Sequence, residues 1–583
     1  MKYKLINTPD ESNSAIEQVF INRGIKKEDV PHYLNTTDAD ILDPLMLDNM
    51  HEGAVKLLNH INNEDDIFII PDVDADGFTS AAILMNYIYA FNPEFARNHI
   101  FYEINENKVH GIVLENIPDN VKMVICPDSA SNDFEQHKYL ADKGIDVLIL
   151  DHHEADKVSE NAIVINNQLC NYPNKTLSGA GVVYKFCCYL DTLLNLDNAK
   201  LFVDLVALGL VSDMVSLQDF ETKHLVQLGM NNLRNLCFKE LKAKSEFLIG
   251  NELTPDKISF YITPYINATV RMGSRSEKRT LFEAMLDFMA LDEIPSTKRG
   301  CKGQMETRVE QACRNCTNIK KRQTNARDAS LKRIEELIEE NHLLDNKILV
   351  IQVPKEIEFE PTLNGLIANQ LMSKYQKPTM LLRENITLNE QKQPQIDWVG
   401  SARGVKYSAL ENFRKFTEST NLVNYAQGHP NAYGASISDA QIQDFIKTTN
   451  QDLQDMEFDP CYKVDFVFQG KEFNPQDILK IAEYQKLYGE GVEEPYIVIE
   501  NLIVQKNNLH LYKGSTLKIE LDNGCSLVQF KSSEEEYEKL YSDLGCVKIN
   551  VVGKCKENVY YGRTTAQVTI SDYEIVEELP YYF

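Results

Sequence analysis

The stretch IFIIPDVDADGFTS, residues 67–80, decides the fold because it joins an apolar run of strand length directly to a cluster of acids. Asp72, Asp74 and Asp76 alternate along the chain and are followed by Gly77. Carboxylates this close repel one another unless a hard cation binds between them. The stretch therefore predicts a buried strand whose carboxyl end carries a metal-binding loop.

Two other interpretations of these acids start from the motif alone. D-x-D-x-D-G also opens an EF-hand calcium loop, but the twelfth position here is Ile83, where an EF-hand places a bidentate Glu. A strand-like run precedes the motif, whereas a helix precedes an EF-hand loop. The other alternative is an acidic surface turn that binds no metal, and the clusters farther along the chain weigh against it.

Three more polar clusters follow apolar runs farther along the chain. They are Asp128 after VKMVIC (121–126), Asp151, His152 and His153 after VLIL (147–150), and Asp213 at the end of LVALGLVSD (205–213). IFII (67–70), VKMVIC and VLIL have strand length, and continuous apolar runs between helical stretches are typical of parallel strands covered on both faces. Ligands bind at the carboxyl edge of such a sheet, so these clusters predict one shared site.

The side chains of this predicted site suit divalent cations. Mixed carboxylate and imidazole ligands favour Mn²⁺ or Mg²⁺ over Zn²⁺. Adjacent side chains of an extended chain point in different directions, so His152 can bind a metal while His153 faces a substrate. Asp151 can orient one of the rings by a hydrogen bond. Two bridged cations activate water and offset phosphoryl charge, which predicts hydrolysis of a phosphodiester.

The rest of the chain predicts further lobes. Residues 318–341 are predicted to form one long charged helix, because they contain no strong helix breaker. KILVIQV (347–353) begins a region of mixed strands and helices. Short strands from about residue 461 onward predict an all-β barrel, such as an oligonucleotide-binding fold.

Composition is that of an ordinary globular protein, with 43 % hydrophobic and 25 % charged residues. The N-terminal stretch lacks an apolar signal region, and no window is apolar enough to span a bilayer, so we expect no membrane association. The 12 cysteines are scattered along the chain. This scatter favours free thiols in a reducing cytoplasm over a disulfide framework.

The net charge of −27 argues on its own against nucleic-acid binding, because an acidic surface repels phosphate. Residues 298–333 oppose that trend with eleven Lys or Arg against three acids. We expect this basic segment to be a solvated helical face or to follow a nucleic-acid backbone. It also contains Cys301, Cys313 and Cys316, but a zinc site would require a fourth ligand that the segment does not supply.

The order of these motifs resembles the DHH phosphoesterase superfamily. DVDADGFTS, Asp128, LDHHEAD and GLVSDMVSL match its four motifs, and SGAGVVYKF (178–186) lies between the last two. Within the superfamily the chain is similar to RecJ-type exonucleases, which are specific for single strands. The similarity extends over about residues 66–580 and includes INATVRMGSRSEKRTLFEAML (266–286), VGSARG (399–404), QGHPNAYGASI (427–437) and YGEGVEEPYIVIENLIV (488–504).

The resemblance implies an α/β multidomain protein. Its segments would be an N-terminal extension (1–50), a DHH catalytic lobe with a parallel sheet (51–297), a long basic connecting helix (298–345), an α/β DHHA1 lobe (346–455) and a C-terminal all-β OB-fold barrel (456–583).

The resemblance also implies a role for each motif residue. The implied metal ligands are Asp74, Asp76, Asp128, His152 and Asp213. The implied catalytic residues are His153, which would contact the scissile phosphate, and Asp72, in a supporting role. The implied substrate-binding residues are Arg271, Ser401, Arg403, Gly428, His429 and Lys108, the last replacing a basic residue of the family. The loop Ser129-Ala130-Ser131 departs from the family, which usually has a Gly there.

The implied activity is metal-dependent 5′→3′ hydrolysis of single-stranded DNA to nucleoside 5′-monophosphates, with two Mn²⁺ or Mg²⁺ ions as cofactors. We expect a cytoplasmic monomer whose partners are single-stranded DNA and a single-strand-binding protein or a helicase. The alternatives are a DHH phosphodiesterase of short oligonucleotides or cyclic dinucleotides, and a non-catalytic single-strand-binding replication scaffold.

Overall fold

The chain folds as two compact units. The computed structural model describes residues 1–10, 12–105, 109–250, 252–357, 359–388, 394–406, 408–458, 461–470, 472–540, 545–560 and 562–580. The N-terminal unit contains Ile16–Lys320 and Glu483–Glu494. The C-terminal unit contains Met1–Ala15, Lys321–Ala482 and Pro495–Phe583.

The strands are β1 (Lys2–Leu5), β2 (Ile67–Ile69), β3 (Ile100–Tyr102), β4 (Met123–Pro127), β5 (Asp146–Asp151), β6 (Ile163–Asn166), β7 (Glu293–Pro295), β8 (Met305–Thr307), β9 (Leu349–Val353), β10 (Thr379–Leu388), β11 (Pro394–Arg403), β12 (Tyr425–His429), β13 (Ala432–Ser438), β14 (Cys461–Val464), β15 (Phe466–Gln469), β16 (Tyr496–Gln505), β17 (Leu509–Tyr512), β18 (Thr516–Glu520), β19 (Ser526–Phe530), β20 (Gly545–Tyr560) and β21 (Arg563–Pro580).

The α-helices are α1 (Ala15–Asn22), α2 (Val30–Leu34), α3 (Met50–Asn62), α4 (Ala75–Phe91), α5 (Pro93–Asn98), α6 (Phe134–Asp142), α7 (Gly179–Leu194), α8 (Val203–Ser212), α9 (Phe220–Asn231), α10 (Leu236–Lys244), α11 (Glu246–Ile249), α12 (Pro255–Tyr261), α13 (Thr263–Met272), α14 (Arg275–Ala284), α15 (Arg308–Glu340), α16 (Asn364–Tyr375), α17 (Phe413–Ser419), α18 (Asp439–Asp452), α19 (Pro475–Glu483) and α20 (Glu534–Lys539).

The N-terminal unit is built on a parallel sheet with the strand order β3-β2-β4-β5-β6. Strands β2, β4 and β5 are buried almost throughout, as their continuous apolar runs predict. These three strands lead into the polar clusters, and they are neighbours in the sheet. Their carboxyl ends therefore meet at one edge, which confirms the predicted α/β architecture.

Three helices complete that edge. Helix α4 begins directly after the β2 loop, and it packs against both α7 and α8. It is buried around most of its circumference, which explains why its sequence carries no clear polar face. Helices α3, α6 and α7 also pack on strands of the sheet.

The basic segment 298–345 differs from the single helix that the sequence predicts. Its first residues belong to an antiparallel hairpin of β7 and β8, and Gly300 and Gly303 have φ values of +84° and +85°, which an α-helix does not allow. Thr307 and Glu310 then form reciprocal side-chain to backbone hydrogen bonds at 3.3 and 2.9 Å. This capping box starts α15 at Arg308, ten residues after the start of the connecting helix expected over 298–345 and ten residues before the helix predicted over 318–341.

The C-terminal unit contains two mixed sheets. The first has the order β12-β13-β11-β10-β9, and α16, α17 and α18 pack on it. The second has the order β15-β16-β20-β21-β19-β18-β17 and an apolar core of its own. The region predicted as all-β also contains the short helices α19 and α20. Strand β1, from the predicted N-terminal extension, pairs in parallel with β14 of this unit. Among the described helices, none is both long and apolar enough to cross a bilayer.

Candidate metal centre

The side chains predicted as ligands converge on the carboxyl edge of the parallel sheet. The described residues include two sets of three potential ligands, in each of which the ligand atoms lie within 4.8 Å of one another. One set is Asp72, Asp74 and Asp128, and the other is Asp76, His152 and Asp213. The two sets adjoin, because His152 Nε2 lies 3.2 Å from Asp128 Oδ1.

The start of α4 fixes the first acids. Asp74 is the N-cap residue of α4 and accepts a hydrogen bond from Gly77 N at 2.9 Å. Asp76, in the first turn, accepts hydrogen bonds from Ser178 Oγ at 2.9 Å and from Gly179 N at 2.8 Å. The N-terminus of α7 therefore holds Asp76, whose carboxylate is favoured by the positive end of the helix dipole.

Glycines make room for these carboxylates. A Cβ at Gly179 would lie 2.3 Å from Asp128 Oδ1, and a Cβ at Gly209 would lie 2.4 Å from Asp76 Oδ1. Real Cβ atoms do not approach that closely, so α7 and α8 can reach the acids only at positions without a side chain.

Three buried polar atoms of the centre make no hydrogen bond among the described residues: Asp72 Oδ1, Asp128 Oδ1 and His152 Nε2, the last two of which face each other at 3.2 Å without hydrogen-bond geometry. Such atoms are rare because an unpaired buried polar group costs about 1–3 kcal/mol. All three belong to the potential ligand sets. Oxygen and imidazole donors in this arrangement fit Mn²⁺ or Mg²⁺.

The acids also crowd one another electrostatically. Burial and the charges of Asp76 and Asp74 raise the pKa of Asp213 to about 8. Burial and Asp74 raise the pKa of Asp76 to about 6. Burial followed by the neighbouring carboxylates raises the pKa of Asp128 well above its usual range. Bound divalent cations would remove this repulsion, because they reverse the local balance of charge.

The two adjacent histidines are in opposite states. Burial and the adjacent His153 lower the pKa of His152 to about 4, so its ring is neutral and can act as a ligand. The hydrogen bond from His153 Nδ1 to Asp151 Oδ1, at 2.8 Å, raises the pKa of His153 to about 9. Although burial opposes ionisation of Asp151, this bond holds its pKa below the usual range. The His153 side chain is 57 % exposed, which leaves a cation facing solvent beside the ligand sets.

One residue of the centre was not predicted from the sequence. His110 Nδ1 lies 2.7 Å from Asp72 Oδ2 and is hydrogen-bonded to it. The family resemblance implies a basic residue in the segment after β3, and Lys108 was expected to supply it. Lys108 lies outside the described residues. Arg271 is exposed on α13, and the Asp74 carboxylate interacts electrostatically with its guanidinium.

The other predicted phosphate-binding residues lie in the C-terminal unit. Arg403 on β11 and His429 on β12 are both register partners of Ala432 on β13, so the three residues form one row across the sheet. Ser401 lies two positions from Arg403 and therefore shares its face of the sheet. A Cβ at Gly365, at the start of α16, would lie 2.5 Å from Arg403 Nη2, so the absence of a side chain at Gly365 leaves room for the Arg403 guanidinium.

Gly428 precedes His429 on the same strand. Its φ of +130° is a backbone conformation that L side chains rarely adopt. The glycine therefore allows the turn that brings His429 to the end of β12.

Comparisons with known proteins agree with this architecture. Residues 66–210 match the DHH family, N-terminal domain. The chain is 35 % identical, over 99 % of its length and 98 % of the relative, to a putative SPbeta prophage-derived single-strand DNA-specific exonuclease, YorK, of Bacillus subtilis strain 168. It is 25 % identical to the single-stranded-DNA-specific exonuclease RecJ of the same organism, over 96 % of this chain and 68 % of that one.

The fold is also similar to solved structures. The structure of RecJ in complex with Mn²⁺ from Thermus thermophilus superposes with a TM-score of 0.69 at 19 % identity, covering 99 % of this chain and 80 % of that one. The corresponding complex with Mg²⁺ gives a TM-score of 0.64 at 18 % identity and covers 99 % of this chain and 79 % of that one.

Proposed function

The chain belongs to the RecJ-type exonucleases of the DHH superfamily and is a metal-dependent exonuclease of single-stranded DNA, and from this premise we propose how it cuts. The strand is degraded from its 5′ end, and each cycle releases a nucleoside 5′-monophosphate. The two ligand sets would hold two divalent cations.

The observation that carries this proposal is the pair of adjoining ligand sets with their three unpartnered buried atoms. Asp74, Asp76, Asp128, His152 and Asp213 are the proposed ligands. Asp72 joins them, because its Oδ1 faces no hydrogen-bond donor among the described residues. The chemistry that two bound cations supply is a water made nucleophilic at neutral pH and neutralisation of phosphoryl charge.

Charged and polar side chains in each unit are proposed to add contacts to the strand. His153, held by Asp151, donates a hydrogen bond to a non-bridging oxygen of the scissile phosphate and stabilises the charge that develops there. Arg271 binds a phosphate through its bidentate fork. Ser401, Arg403 and His429, with Gly428 permitting close approach of the backbone, bind phosphates of the strand from the C-terminal unit.

We also infer a monomer that acts in the cytoplasm on strands presented by a single-strand-binding protein or a helicase. None of the twelve cysteines, all of them described, forms a disulfide, which suits a reducing compartment. Light scattering after size-exclusion chromatography tests the monomer, and a doubled mass would contradict it.

The decisive experiment digests single strands labelled at the 5′ or the 3′ end with Mn²⁺ or Mg²⁺. Mononucleotide label should appear at once from the 5′-labelled strand and only late from the 3′-labelled strand. Asp74→Asn should abolish hydrolysis while strand binding persists. The matched control is Asp197→Asn, an exposed acid that pairs with Lys200 in the same unit. Wild-type turnover in Asp74→Asn, or first release from the 3′ end, would contradict the proposal.

A further inference from the structure

Two residues at the sheet edge, Asp151 and Asn166, both form hydrogen bonds to Ser131 and to His153. Asp151 and Asn166 are register partners at the ends of β5 and β6. Asp151 accepts hydrogen bonds from Ser131 N at 3.2 Å and from His153 Nδ1 at 2.8 Å. Asn166 donates from Nδ2 to Ser131 Oγ and to the His153 carbonyl oxygen, each at 2.9 Å. The four residues therefore form a closed ring of hydrogen bonds.

Both N–H groups and the carbonyl oxygen of the Asn166 side chain form hydrogen bonds. An Asn side chain has two N–H hydrogens and one carbonyl oxygen. Both hydrogens point into the ring, and Oδ1 accepts a hydrogen bond from Gln168 N at 2.7 Å. Asn166 is 3 % exposed, so it is shielded from substrate. Aspartate, the nearest isostere, could supply neither hydrogen and would place a second charge beside Asp151.

Asp151 and Asn166 hold His153 from two sides. Asp151 holds the imidazole, and Asn166 holds the backbone carbonyl of the same residue. Without Asn166 the carbonyl loses this donor, and His153 is held from one side only, where Asp151 Oδ1 accepts hydrogen bonds from its Nδ1 at 2.8 Å and its backbone N at 3.2 Å. Ser131 anchors the ring, because it is itself tied to Asp151.

We propose that Asn166 is a positioning residue that holds His153 in the orientation required for contact with the scissile phosphate. The inference rests on the proposed function, since it assumes that role for His153. The hydrogen bonds of the Asn166 side chain go to Ser131, His153 and Gln168 rather than to the proposed metal ligands, so its effect passes through His153. A displacement of about 1 Å in a group that contacts the reacting atoms can cost about 100-fold in rate, so we expect a loss of about 10–100-fold.

The test compares Asn166→Ala and Asn166→Asp with a matched control, Asn167→Ala. Asn167 is also buried, but its Nδ2 bonds to Asn174 O at 3.2 Å and Leu177 O at 3.5 Å, away from His153. In both Asn166 variants kcat should fall about 10–100-fold. KM and the calorimetric Kd for Mn²⁺ should stay within about threefold of wild type, because the proposed ligands are untouched. Asn167→Ala should lower the thermal midpoint but keep kcat within about threefold.

A double-mutant cycle identifies the route of the effect. In a His153→Ala background, Asn166→Ala should lower single-turnover rates by less than about twofold, since the group that it positions is gone. If Asn166→Ala fails to fold, Ser131→Ala removes one corner of the ring without altering β6 and should lower kcat about threefold to tenfold.

Three outcomes would overturn the inference: wild-type kcat in the folded variant, a full additional loss in the His153→Ala background, or a Kd for Mn²⁺ weakened more than about tenfold. Wild-type turnover in His153→Ala itself would instead contradict the proposed function. Loss in His153→Ala with wild-type turnover in Asn166→Ala would contradict only this inference.

Discussion

His110 Nδ1 lies 2.7 Å from Asp72 Oδ2, so an exposed imidazole fixes one oxygen of a carboxylate that is only 2 % exposed. The other oxygen, Asp72 Oδ1, is left without a hydrogen-bond partner among the described residues. The pair thus orients Asp72 with one oxygen held and one available, an arrangement common around protein-bound metals.

Removing this imidazole should weaken metal binding. His110→Ala is expected to raise the calorimetric Kd for Mn²⁺ about tenfold, because Asp72 loses the contact that orients it. His99→Ala is the matched control, since His99 makes a similar pair with Asp66 at 3.0 Å outside the ligand sets. Equal Mn²⁺ affinity in the two variants would contradict a role for His110.

Ala130 should be replaceable by Gly with a gain in stability. Its φ is +78°, and left-handed backbone costs an L residue about 1–2 kcal/mol. Removing the methyl group costs roughly 0.8 kcal/mol of stability, because Ala130 belongs to an apolar cluster. Ala130→Gly should therefore raise the thermal midpoint by up to about 2 °C in scanning fluorimetry.

The control for this substitution is Ala141→Gly, at an exposed position of α6. It should lower the midpoint slightly, since Gly is less favourable than Ala in the last turn of a helix. A decrease of equal size in both variants would show that the backbone of the Asp128 loop is not strained.

Arg403 should not tolerate replacement by Lys. An ammonium cannot reproduce the planar fork of a guanidinium on a phosphate. Arg403→Lys is expected to weaken binding of a phosphorothioate-protected single strand about tenfold in fluorescence anisotropy. The control is Arg414→Lys on α17, where the guanidinium faces Glu418 at 4.0 Å. Unchanged affinity in Arg403→Lys would exclude Arg403 from strand binding.

His137 should make stability depend on pH. It is fully buried, and burial lowers its pKa below the usual value. The folded protein therefore binds a proton less readily than the unfolded chain. Its contribution is complete above the unfolded pKa of about 6.5 and decreases as the pH falls below that value, by at most about 1.4 kcal/mol per pH unit.

The measurement is the difference in thermal midpoint between pH 7.5 and 5.5. This difference should be larger in wild type than in His137→Leu, which cannot take up the proton. Other groups titrate equally in both proteins and cancel in the comparison. Parallel pH profiles would show that His137 contributes nothing to the slope.

The architecture of the N-terminal unit followed from local patterns. The apolar runs before Asp72, Asp128 and Asp151 specified three strands, and the polar residues after them specified one edge. The predictions of an α/β fold, of divalent cations and of a single-strand exonuclease are confirmed. The assignment of individual ligands stays a prediction until variants are measured.

Contacts between distant residues could not be predicted from such patterns. The pairing of His110 with Asp72 depends on how the segment after β3 returns to the sheet, and no local periodicity encodes that return. The ring of hydrogen bonds that includes Asn166 forms only because Asn166 lies beside Asp151 in the register of β5 and β6, which the sequence does not specify. The start of α15 at Arg308 could have been predicted, since Thr307 and Glu310 have capping-box spacing.

The bond from Ser178 to Asp76 spans 102 positions of the chain. During translation the DVDADG loop leaves the ribosome long before its anchor at α7 and its last partner at Asp213 have been synthesised. A nascent chain halted before that point should retain no manganese on a desalting column, whereas one extended well past α8 should. Metal loading would then report that this half of the polypeptide has finished folding.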